Sequence, residues 1–437
     1  MSDRRFDAPS GPVIGWQDGR VLRATGIPYA AAERFGEPAP TADRTAPLVA
    51  HGWSPQSPQP ADAIADAMFG ADPRGLAVDE HCQHLSITLP AAPASTPRPV
   101  LVWVHGGGFV TGAGDLAIMD PAALAAEQDV VVVTVTYRLG LLGFIETARG
   151  PRANLGLLDL IEAFRWIRRN IAAFGGDPAS VTAFGQSAGA QAIADLMATA
   201  DAAQLFSRAI IQSAPLGIMR DRAALNRALA SAAAPLDATS TLTDVAAAQE
   251  QVVAAGAPFG LKGAMPIAPQ YGFAPLPPED EVDAALASTA PAIHVLIGRT
   301  SQEARLFLPS LPGVRTWSRL PLIGGMLERL VVAFCTWAVY SRGVRRFARR
   351  HRRAGGRVST YVLSWAARGN PMGAAHTIDI PLLLGDRAAW VDAQLIAGTP
   401  YADVATDGRR MRALWARFAR GEMLGADDSL EFLAVRG

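Results

Sequence analysis

A serine flanked by glycines near the middle of the chain stands in a setting that suits nucleophilic catalysis. Residues 185–189 are Gly-Gln-Ser-Ala-Gly, which matches the pattern G-x-S-x-G around Ser187. A strand-like run precedes it at 181–184, and a helical pattern begins at Ala188. In a nucleophile elbow the serine occupies a strained turn between strand and helix, and the glycines leave space for the backbone. The pattern predicts a serine activated for acyl transfer, with a chance Gly/Ser turn as the alternative.

A second candidate element is the glycine run His105–Phe109, which follows an apolar strand pattern. Acyl transfer passes through tetrahedral intermediates whose negative oxygen is stabilised by backbone N–H groups. We expect Gly107 and Gly108 to supply two such donors and Ala188, just after the serine, to supply a third. The run does not match G-x-G-x-x-G, so a dinucleotide-binding loop and a plain turn remain only as alternatives.

The serine needs a general base, and three of the seven histidines follow it in the order Ser, acid, His. His294 lies inside an apolar strand pattern, which indicates a structural histidine. His351 lies in an arginine-rich run, where we expect it to be solvated. His376 lies in a Gly/Ala loop that a proline closes, a typical place for a catalytic side chain. We therefore predict His376 as the base.

An acid must orient that histidine, and three carboxylates are candidates. Glu303 comes five residues after the strand-like run that ends at Gly298. Glu328 has the surroundings of a solvated helix face, and Asp379 is only three residues from His376, too near to orient its ring easily. The pattern favours Glu303.

Composition narrows the class of protein. The chain has 437 residues, 50% hydrophobic and 18% charged, which excludes a disordered chain. Its 40 basic and 40 acidic residues cancel, so nothing favours a nucleic-acid partner. Cys82 and Cys335 are too few for a disulfide framework or a zinc site. The polar segment Met1–Pro12 lacks a signal-peptide core, and the longest uncharged apolar run, Leu330–Tyr340, is too short to span a bilayer. We expect a cytoplasmic protein without a metal.

The elements that must position these residues alternate between strand and helix. A β-hairpin is predicted at 12–30 around Asp18-Gly19. Alternation of this kind predicts an α/β fold with a mostly parallel central sheet. We expect one domain over 1–437, with a shortened helical cap or lid at 304–357. The remaining strand-like runs are 85–89, 99–104, 130–136, 181–184, 209–212, 293–298 and 358–364, and the helical segments are 157–173, 188 onward and 223–255.

These motifs, in this order, resemble those of the type-B carboxylesterases, the family of the cholinesterases and para-nitrobenzyl esterases. The resemblance implies an α/β-hydrolase fold and hydrolysis of small-molecule esters through an acyl-enzyme, without a cofactor. The stretches that carry it are 26–30 with 34–35, 80–83, 105–109, 137–140, 154–159, 171–189, 373–376 and 415–420.

Carried over by position, the family's site residues fall on the candidates already named. The resemblance implies a triad of Ser187, Glu303 and His376 and an oxyanion hole of Gly107, Gly108 and Ala188. It also implies supporting roles beside the triad for Ser213 and for Gln186, which precedes the nucleophile. Two structural ion pairs are implied as well, Arg34 with Glu80 and Arg138 with Asp159.

Departures from the family pattern bear on compartment and substrate. Ser57 replaces the usual cysteine, which leaves Cys82 without its disulfide partner and agrees with a reducing compartment. Gln186 replaces a common glutamate, and the 57–82 loop has no tryptophan to hold a quaternary ammonium. We therefore expect neutral, fairly small acyl esters to be preferred over choline esters. The segment between Glu303 and His376 is shorter than the family's.

Two other functions share these motifs. One is a non-catalytic binding protein, like the adhesion homologues of cholinesterases, although those lack triad residues. The other is an acyltransferase or an amidase that uses the same triad. The oligomeric state is left open.

The arginine-rich run 342–353 has two interpretations. It forms either a solvated helix paired with acidic neighbours or a basic amphipathic helix. The second would give weak peripheral contact with anionic membranes, without stable insertion, next to the apolar segment 320–340. Four nearby aromatic residues are expected either to line an apolar pocket or to pack in the core: Phe307, Trp317, Phe334 and Trp337.

Overall fold

A large twisted sheet organises the molecule. The computed structural model describes residues 2–310 and 323–437, and these contain a twelve-stranded sheet and a separate two-stranded ribbon of β4 and β5. The strands are β1 (Asp3–Ala8), β2 (Gly11–Asp18), β3 (Val21–Pro28), β4 (Ala30–Ala31), β5 (Ala39–Pro40), β6 (Leu48–Val49), β7 (His84–Pro90), β8 (Arg98–Val104), β9 (Val131–Val135), β10 (Gly176–Gln186), β11 (Arg208–Gln212), β12 (His294–Thr300), β13 (Val358–Leu363) and β14 (Leu433–Arg436).

Helices cover both faces of this sheet. The α-helices are α1 (Ala63–Phe69), α2 (Ala122–Gln128), α3 (Gly140–Gly143), α4 (Leu155–Asn170), α5 (Ala188–Leu196), α6 (Ala202–Leu205), α7 (Ala223–Ala233), α8 (Leu242–Gly256), α9 (Val282–Thr289), α10 (Gly324–Cys335), α11 (Arg342–Arg353), α12 (Ile380–Leu383), α13 (Arg387–Trp390) and α14 (Tyr401–Ala419). None of the helices in the described ranges is both long and apolar enough to cross a membrane.

The strand order places the parallel strands at the centre. It runs β1-β2-β3-β7-β9-β8-β10-β11-β12-β13-β14, with β6 beside β2. The pairs from β9 to β13 are all parallel, and the outer pairs from β1 to β9 and β13 to β14 are antiparallel. The predicted mostly parallel α/β sheet is therefore confirmed, and so is the hairpin at 12–30, which is formed by β2 and β3.

Burial on both faces explains why the central strands show no hydrophobic alternation. Along β8, Val100, Val102 and Val104 belong to one core cluster, while Leu101 and Trp103 belong to the cluster on the opposite face. Since successive side chains of a strand point to opposite faces, both sets must be apolar when helices cover both sides.

Two strands at the sheet edges were not predicted from the sequence. The N-terminal segment forms β1, although its residues Asp3–Arg5 are exposed and polar. β14 is only four residues long, with alternate residues exposed. Both pair with a single neighbour, and edge strands of this kind lack the apolar run that marks a central strand.

The two predicted ion pairs form. Arg138 binds Asp159 through Nη2 and Nε at 2.7 and 2.9 Å, and both side chains are buried. Arg34 donates from Nε to Glu80 at 2.6 Å in a half-buried site. Cys82 is buried and unbridged, as expected from Ser57, and burial raises the pKa of its thiol.

Helix α5 carries a buried carboxylate that couples stability to pH. Asp195 accepts hydrogen bonds from Tyr271 Oη at 2.9 Å and Gln191 Nε2 at 3.1 Å. Burial raises the pKa of this carboxyl to about 6, although both hydrogen bonds oppose the rise. The native state therefore keeps the proton to a higher pH than the unfolded chain, whose aspartates titrate near pH ~3.9. This difference in pKa stabilises the native state fully below pH ~3.9. The stabilisation is lost as the pH rises through about 6.

We predict that Asp195→Asn removes this pH dependence, because the amide oxygen still accepts from Tyr271 but does not titrate. The free energy of unfolding of the wild type, relative to the variant, should fall by about 2–3 kcal/mol between pH ~4 and ~7. Denaturant unfolding at several pH values measures it, with Asp280→Asn, at an exposed position, as the control. A wild-type-to-variant difference that stays constant with pH would contradict the prediction.

Candidate active site

Ser187 occupies a sharp turn between β10 and α5. Its backbone angles are φ 57° and ψ −122°, a conformation that a non-glycine residue adopts at a cost of about 1–3 kcal/mol. The turn is held by two backbone hydrogen bonds of 2.9 Å, from Ser187 N–H to the Gln212 carbonyl and from Gln191 N–H to the Ser187 carbonyl. The predicted strand, turn and helix are all present.

The two glycines of the motif are required by close packing against β8. A Cβ atom at Gly185 would lie 2.6 Å from the Val104 carbonyl oxygen, and one at Gly189 would lie 2.0 Å from the same atom. Both distances are below any normal van der Waals contact, so neither position accepts a larger residue without moving the backbone.

The glycine run after β8 lies directly against this turn. A Cβ at Gly106 would lie 3.2 Å from the Ser187 Cβ. Gly107 and Gly108 have φ angles of 104° and 64°, which glycine adopts without strain. Within the described ranges, the N–H groups of Gly107, Gly108 and Ala188 have no protein acceptor. Gly107 and Gly108 line the same cavity as Ser187, and Ala188 is the next residue in sequence.

His376 and Glu303 form a buried pair, as predicted. The Glu303 Oε2 lies 2.5 Å from His376 Nδ1, and the two side chains are almost fully buried. Glu303 Oε1 accepts the Thr300 N–H at 2.7 Å, which fixes the carboxylate. The rings of Phe307 and Tyr340 lie 5.4 and 5.3 Å from the imidazole. Since a carboxylate accepts, His376 Nδ1 donates the proton, and Nε2 is left as an acceptor.

Gln186 is the hydrogen-bond partner of that second ring nitrogen. Its Nε2 lies 3.2 Å from His376 Nε2. No hydrogen bond joins Ser187 Oγ to His376 in the described part of the chain, although both residues line one cavity. The sequence predicted Gln186 beside the triad but not this contact.

A second polar layer lies behind the pair. Ser213 has φ 54°, and its buried hydroxyl has no partner among the described residues. Its neighbour Gln212 donates to Asp379 Oδ2 at 2.6 Å and accepts from Trp415 Nε1 at 3.0 Å. Burial raises the pKa of the Asp379 carboxyl to about 6, although the hydrogen bond from Gln212 opposes the rise. Gln212 and Trp415 were not predicted from the sequence, because the contacts of Gln212 with Asp379 and with Trp415 cross 167 and 203 positions.

Three expectations about neighbouring residues were wrong. His351 is buried, not solvated, because the run is amphipathic and this residue lies on its inner face, with Nε2 3.0 Å from the Ile293 carbonyl oxygen. Phe334 and Trp337 neither line the cavity nor pack in the core, since both are exposed on the outer face of their helix. Phe307 does line the cavity. Trp317 and residues 311–322 of the expected cap lie outside the described residues.

The serine, the histidine and the glycine run open into a cavity of about 620 Å³. Its charged lining residues are Asp62, Asp66 and Asp72, and the described lining contains no arginine or lysine. No cluster of three metal-ligating side chains occurs in the described ranges. Most other lining side chains are apolar: Phe69, Leu116, Ile118, Met119, Ile218, Leu261, Met265, Leu306, Phe307, Val339 and Ile380.

Comparison with known proteins agrees with this geometry. The model of the carboxylesterase family matches residues 4–318. The chain is 36% identical over 424 residues to a probable N-octanoylanthranilate hydrolase of Rhodococcus erythropolis, covering 94% of this chain and 91% of that one. It is 40% identical over 210 residues to a para-nitrobenzyl esterase of Bacillus subtilis, covering 46% of this chain and 42% of that one.

Solved structures resemble the whole chain. A thermophilic PNB esterase superposes with a TM-score of 0.81 and 27% identity, covering 98% of this chain and 92% of that one. A second PNB esterase structure gives a TM-score of 0.77 at 26% identity. The fold is therefore the α/β-hydrolase fold of these esterases, and the chain belongs to the carboxylesterase family, as a carboxylic ester hydrolase.

Proposed function

We propose that Ser187 is the nucleophile of this ester hydrolase, with His376 as its general base and Glu303 as the acid that orients the histidine. The observation that carries the proposal is the meeting of a strained, cavity-facing serine with a buried His–Glu pair beside unpaired N–H donors. Strain of this kind persists where the surrounding fold holds it, and such positions cluster at active sites.

The proposed reaction has two acyl-transfer steps. His376 Nε2 takes the Ser187 proton as Oγ attacks the ester carbonyl, and Glu303 stabilises the resulting imidazolium. The histidine then gives the proton to the leaving alcohol, which departs from the tetrahedral intermediate. Water attacks the acyl-enzyme by the same route and releases the carboxylic acid. These steps need no metal or organic cofactor.

We assign the oxyanion hole to Gly107, Gly108 and Ala188. Their N–H groups have no protein acceptor in the described ranges, so they are available to the oxygen that becomes negative in the tetrahedral intermediate. Ala188 is the first residue of α5, and the positive end of that helix dipole adds to the stabilisation.

Gln186 and Ser213 are proposed as supporting residues. In the resting state Gln186 donates its amide N–H to His376 Nε2. Once His376 Nε2 is protonated, it becomes a hydrogen-bond donor. The Gln186 amide must then turn so that its oxygen accepts this proton. Ser213 belongs to the buried layer that contains Gln212 and Asp379. It directly follows Gln212, whose backbone carbonyl accepts the Ser187 N–H.

The cavity supports neutral substrates with a medium-length acyl chain. Its volume of about 620 Å³ is in the range of ligand pockets, and its apolar lining accepts hydrocarbon. This is larger than the fairly small acyl group expected from sequence. Asp66 and Asp72 line the cavity, and no arginine or lysine occurs in its described lining, which disfavours a substrate carboxylate. These aspartates also offset the charge lost at Gln186, so the expected preference against choline esters depends on the missing loop tryptophan alone.

An amidase activity is the second candidate, because the relative that matches almost the whole chain is named for an N-octanoyl substrate. The acyl chain of such a substrate suits the cavity, but its anthranilate carboxylate does not. Transfer to an alcohol instead of water uses the same acyl-enzyme. The non-catalytic alternative has no support, since every residue of the proposed triad is present.

We further propose a single domain over 1–437, with 304–357 as its cap, and a cytoplasmic location that suits the free Cys82.

The triad assignment predicts a ranked loss of activity. Ser187→Ala and His376→Ala should each lower kcat for p-nitrophenyl butyrate by at least ~10⁴-fold, and the double variant little further, because the two side chains act as a unit. Glu303→Gln should lose about ten- to a hundredfold less, since the amide still positions the ring. The control is Ser288→Ala, an exposed serine on α9. Near-wild-type turnover in Ser187→Ala, with an unchanged circular dichroism spectrum, would refute the assignment.

The lining charges predict the substrate preference. We expect p-nitrophenyl octanoate to have a higher kcat/KM than the acetate, and N-octanoylaniline a higher value than N-octanoylanthranilate, which differs only by its carboxylate. Asp72 Oδ2 is buried without a partner, while its Oδ1 accepts the Ala117 N–H at 2.8 Å. Asp72→Asn keeps that hydrogen bond. It should lower the ratio of kcat/KM for N-octanoylaniline to kcat/KM for N-octanoylanthranilate about tenfold. Equal use of the two amides by the wild type would contradict the charge argument.

A further inference from the structure

One long helix connects the cavity to the arginine-rich run. The α-helix α10 passes through a π-helical turn at Thr336–Ser341 directly into α11, and the joining residues Cys335 and Ser341 keep helical backbone angles. The inner face of this helix is buried: Val332, Val339, Tyr340, Val344, Phe347, Ala348 and His351. Cys335, Val339 and Tyr340 line the cavity, so the helix forms one of its walls.

The outer face begins with a row of exposed apolar side chains. Met326, Leu330, Phe334 and Trp337 are 45–59% exposed and are spaced three or four residues apart, which places them on one side of the helix. Contiguous apolar surface of this kind is uncommon on a soluble protein and marks an interaction site.

The same face continues as a row of arginines. Arg346 and Arg350 approach Asp283, but the remaining arginines of the helix have no acidic partner in the described part of the chain. These unpaired cations are Arg342, Arg345, Arg349, Arg352 and Arg353, all exposed. The expectation of a helix paired with acidic neighbours is therefore met by only two of its arginines.

The π-helical turn aligns the two rows. A π-helix bonds residue i to i+5, so Trp337 and Arg342, five positions apart across the turn, come onto one side. The guanidinium of Arg342 lies 5.7 Å from the centre of the Trp337 ring. We call the exposed side chains from Met326 to Arg353 the outer stripe. Its first half is mainly apolar, with Arg329 as its one charged exposed residue, and its second half is cationic.

We propose that the outer stripe docks the enzyme on an anionic lipid surface. Apolar side chains enter the acyl region of a bilayer, and arginines bind the lipid phosphates at its surface. The first half of the stripe is part of the helix that walls the cavity, and Phe307 both lines the cavity and is exposed. Docking by this face would bring lipid-borne acyl chains to the opening of the site.

Charge distinguishes this occupant from a second copy of the chain. In a symmetric dimer formed through the stripe, antiparallel helices would set arginines against apolar side chains, and parallel helices would set arginines against arginines. The one carboxylate between Met326 and Arg353 is Glu328, which is two-thirds buried and lies 4.0 Å from Arg305, so it matches neither arrangement. An anionic lipid surface satisfies both halves.

Vesicle co-sedimentation at low ionic strength tests the proposal. The wild type should bind vesicles of mixed phosphatidylglycerol and phosphatidylcholine and be released by salt, which screens these charges. The variant Arg345→Glu/Arg349→Glu/Arg353→Glu should bind roughly a hundredfold more weakly. Leu330→Ser/Phe334→Ser should also weaken binding, and its remaining binding should be more sensitive to salt, because the apolar contribution is gone.

A matched variant controls for net charge. Arg4→Glu/Arg20→Glu/Arg227→Glu makes the same change at exposed positions on β1, the β2–β3 turn and α7, and it should bind like the wild type. No binding by the wild type, equal loss in both triple variants, or a wild-type dimer that the stripe variant dissociates would each overturn the proposal. Sedimentation needs no turnover, so the result is independent of the triad assignment, and turnover of a soluble acetate ester should be equal in both triple variants.

Discussion

Close packing of the serine turn against β8 is the constraint on which the site depends. The Val104 carbonyl approaches so closely that only glycine fits at positions 185 and 189, and Ser187 is forced into a backbone conformation that it would otherwise avoid. The same approach brings the glycine run after β8 against Ser187, because β8 and β10 are parallel neighbours and end at the same edge. The proposed nucleophile and the proposed oxyanion-hole donors are therefore positioned by one strand pairing, and the strain of the turn is offset by the packing of the whole central sheet.

The histidine and its acid reach this edge from separate parts of the chain. Glu303 follows β12 and is fixed by the Thr300 N–H, and His376 follows β13 and meets Glu303 across a buried contact of 2.5 Å. Behind them, the buried Gln212 side chain donates a hydrogen bond to Asp379 and accepts one from Trp415, which fixes these three side chains. The long helix that walls the cavity places Tyr340 against the same imidazole, so the outer stripe and one wall of the site are two faces of one helix.

Sequence predicted the sheet centre and the site motifs because local chemistry defines them. Continuous apolar runs indicate strands covered on both faces, and G-x-S-x-G indicates a turn that needs its glycines. What sequence missed depends on contacts between distant residues or on which helix face is inward. The hydrogen bond from Gln186 to His376 is an example of the first, and His351 of the second, since its arginine neighbours suggested solvent while its own side chain faces the core. The partial pairing of the arginines could not be predicted either, because Asp283 lies on another helix.

Covalent labelling is the sharpest test of Ser187 as the nucleophile. A fluorophosphonate reacts with an activated serine by displacement of fluoride at phosphorus, and peptide mass spectrometry locates the adduct. We predict stoichiometric labelling of Ser187. It should be lost in His376→Ala, in which the hydroxyl has no base, and unchanged in Ser288→Ala. Labelling at Ser213 or another serine, or ester turnover that continues at full rate after Ser187 is fully labelled, would contradict it.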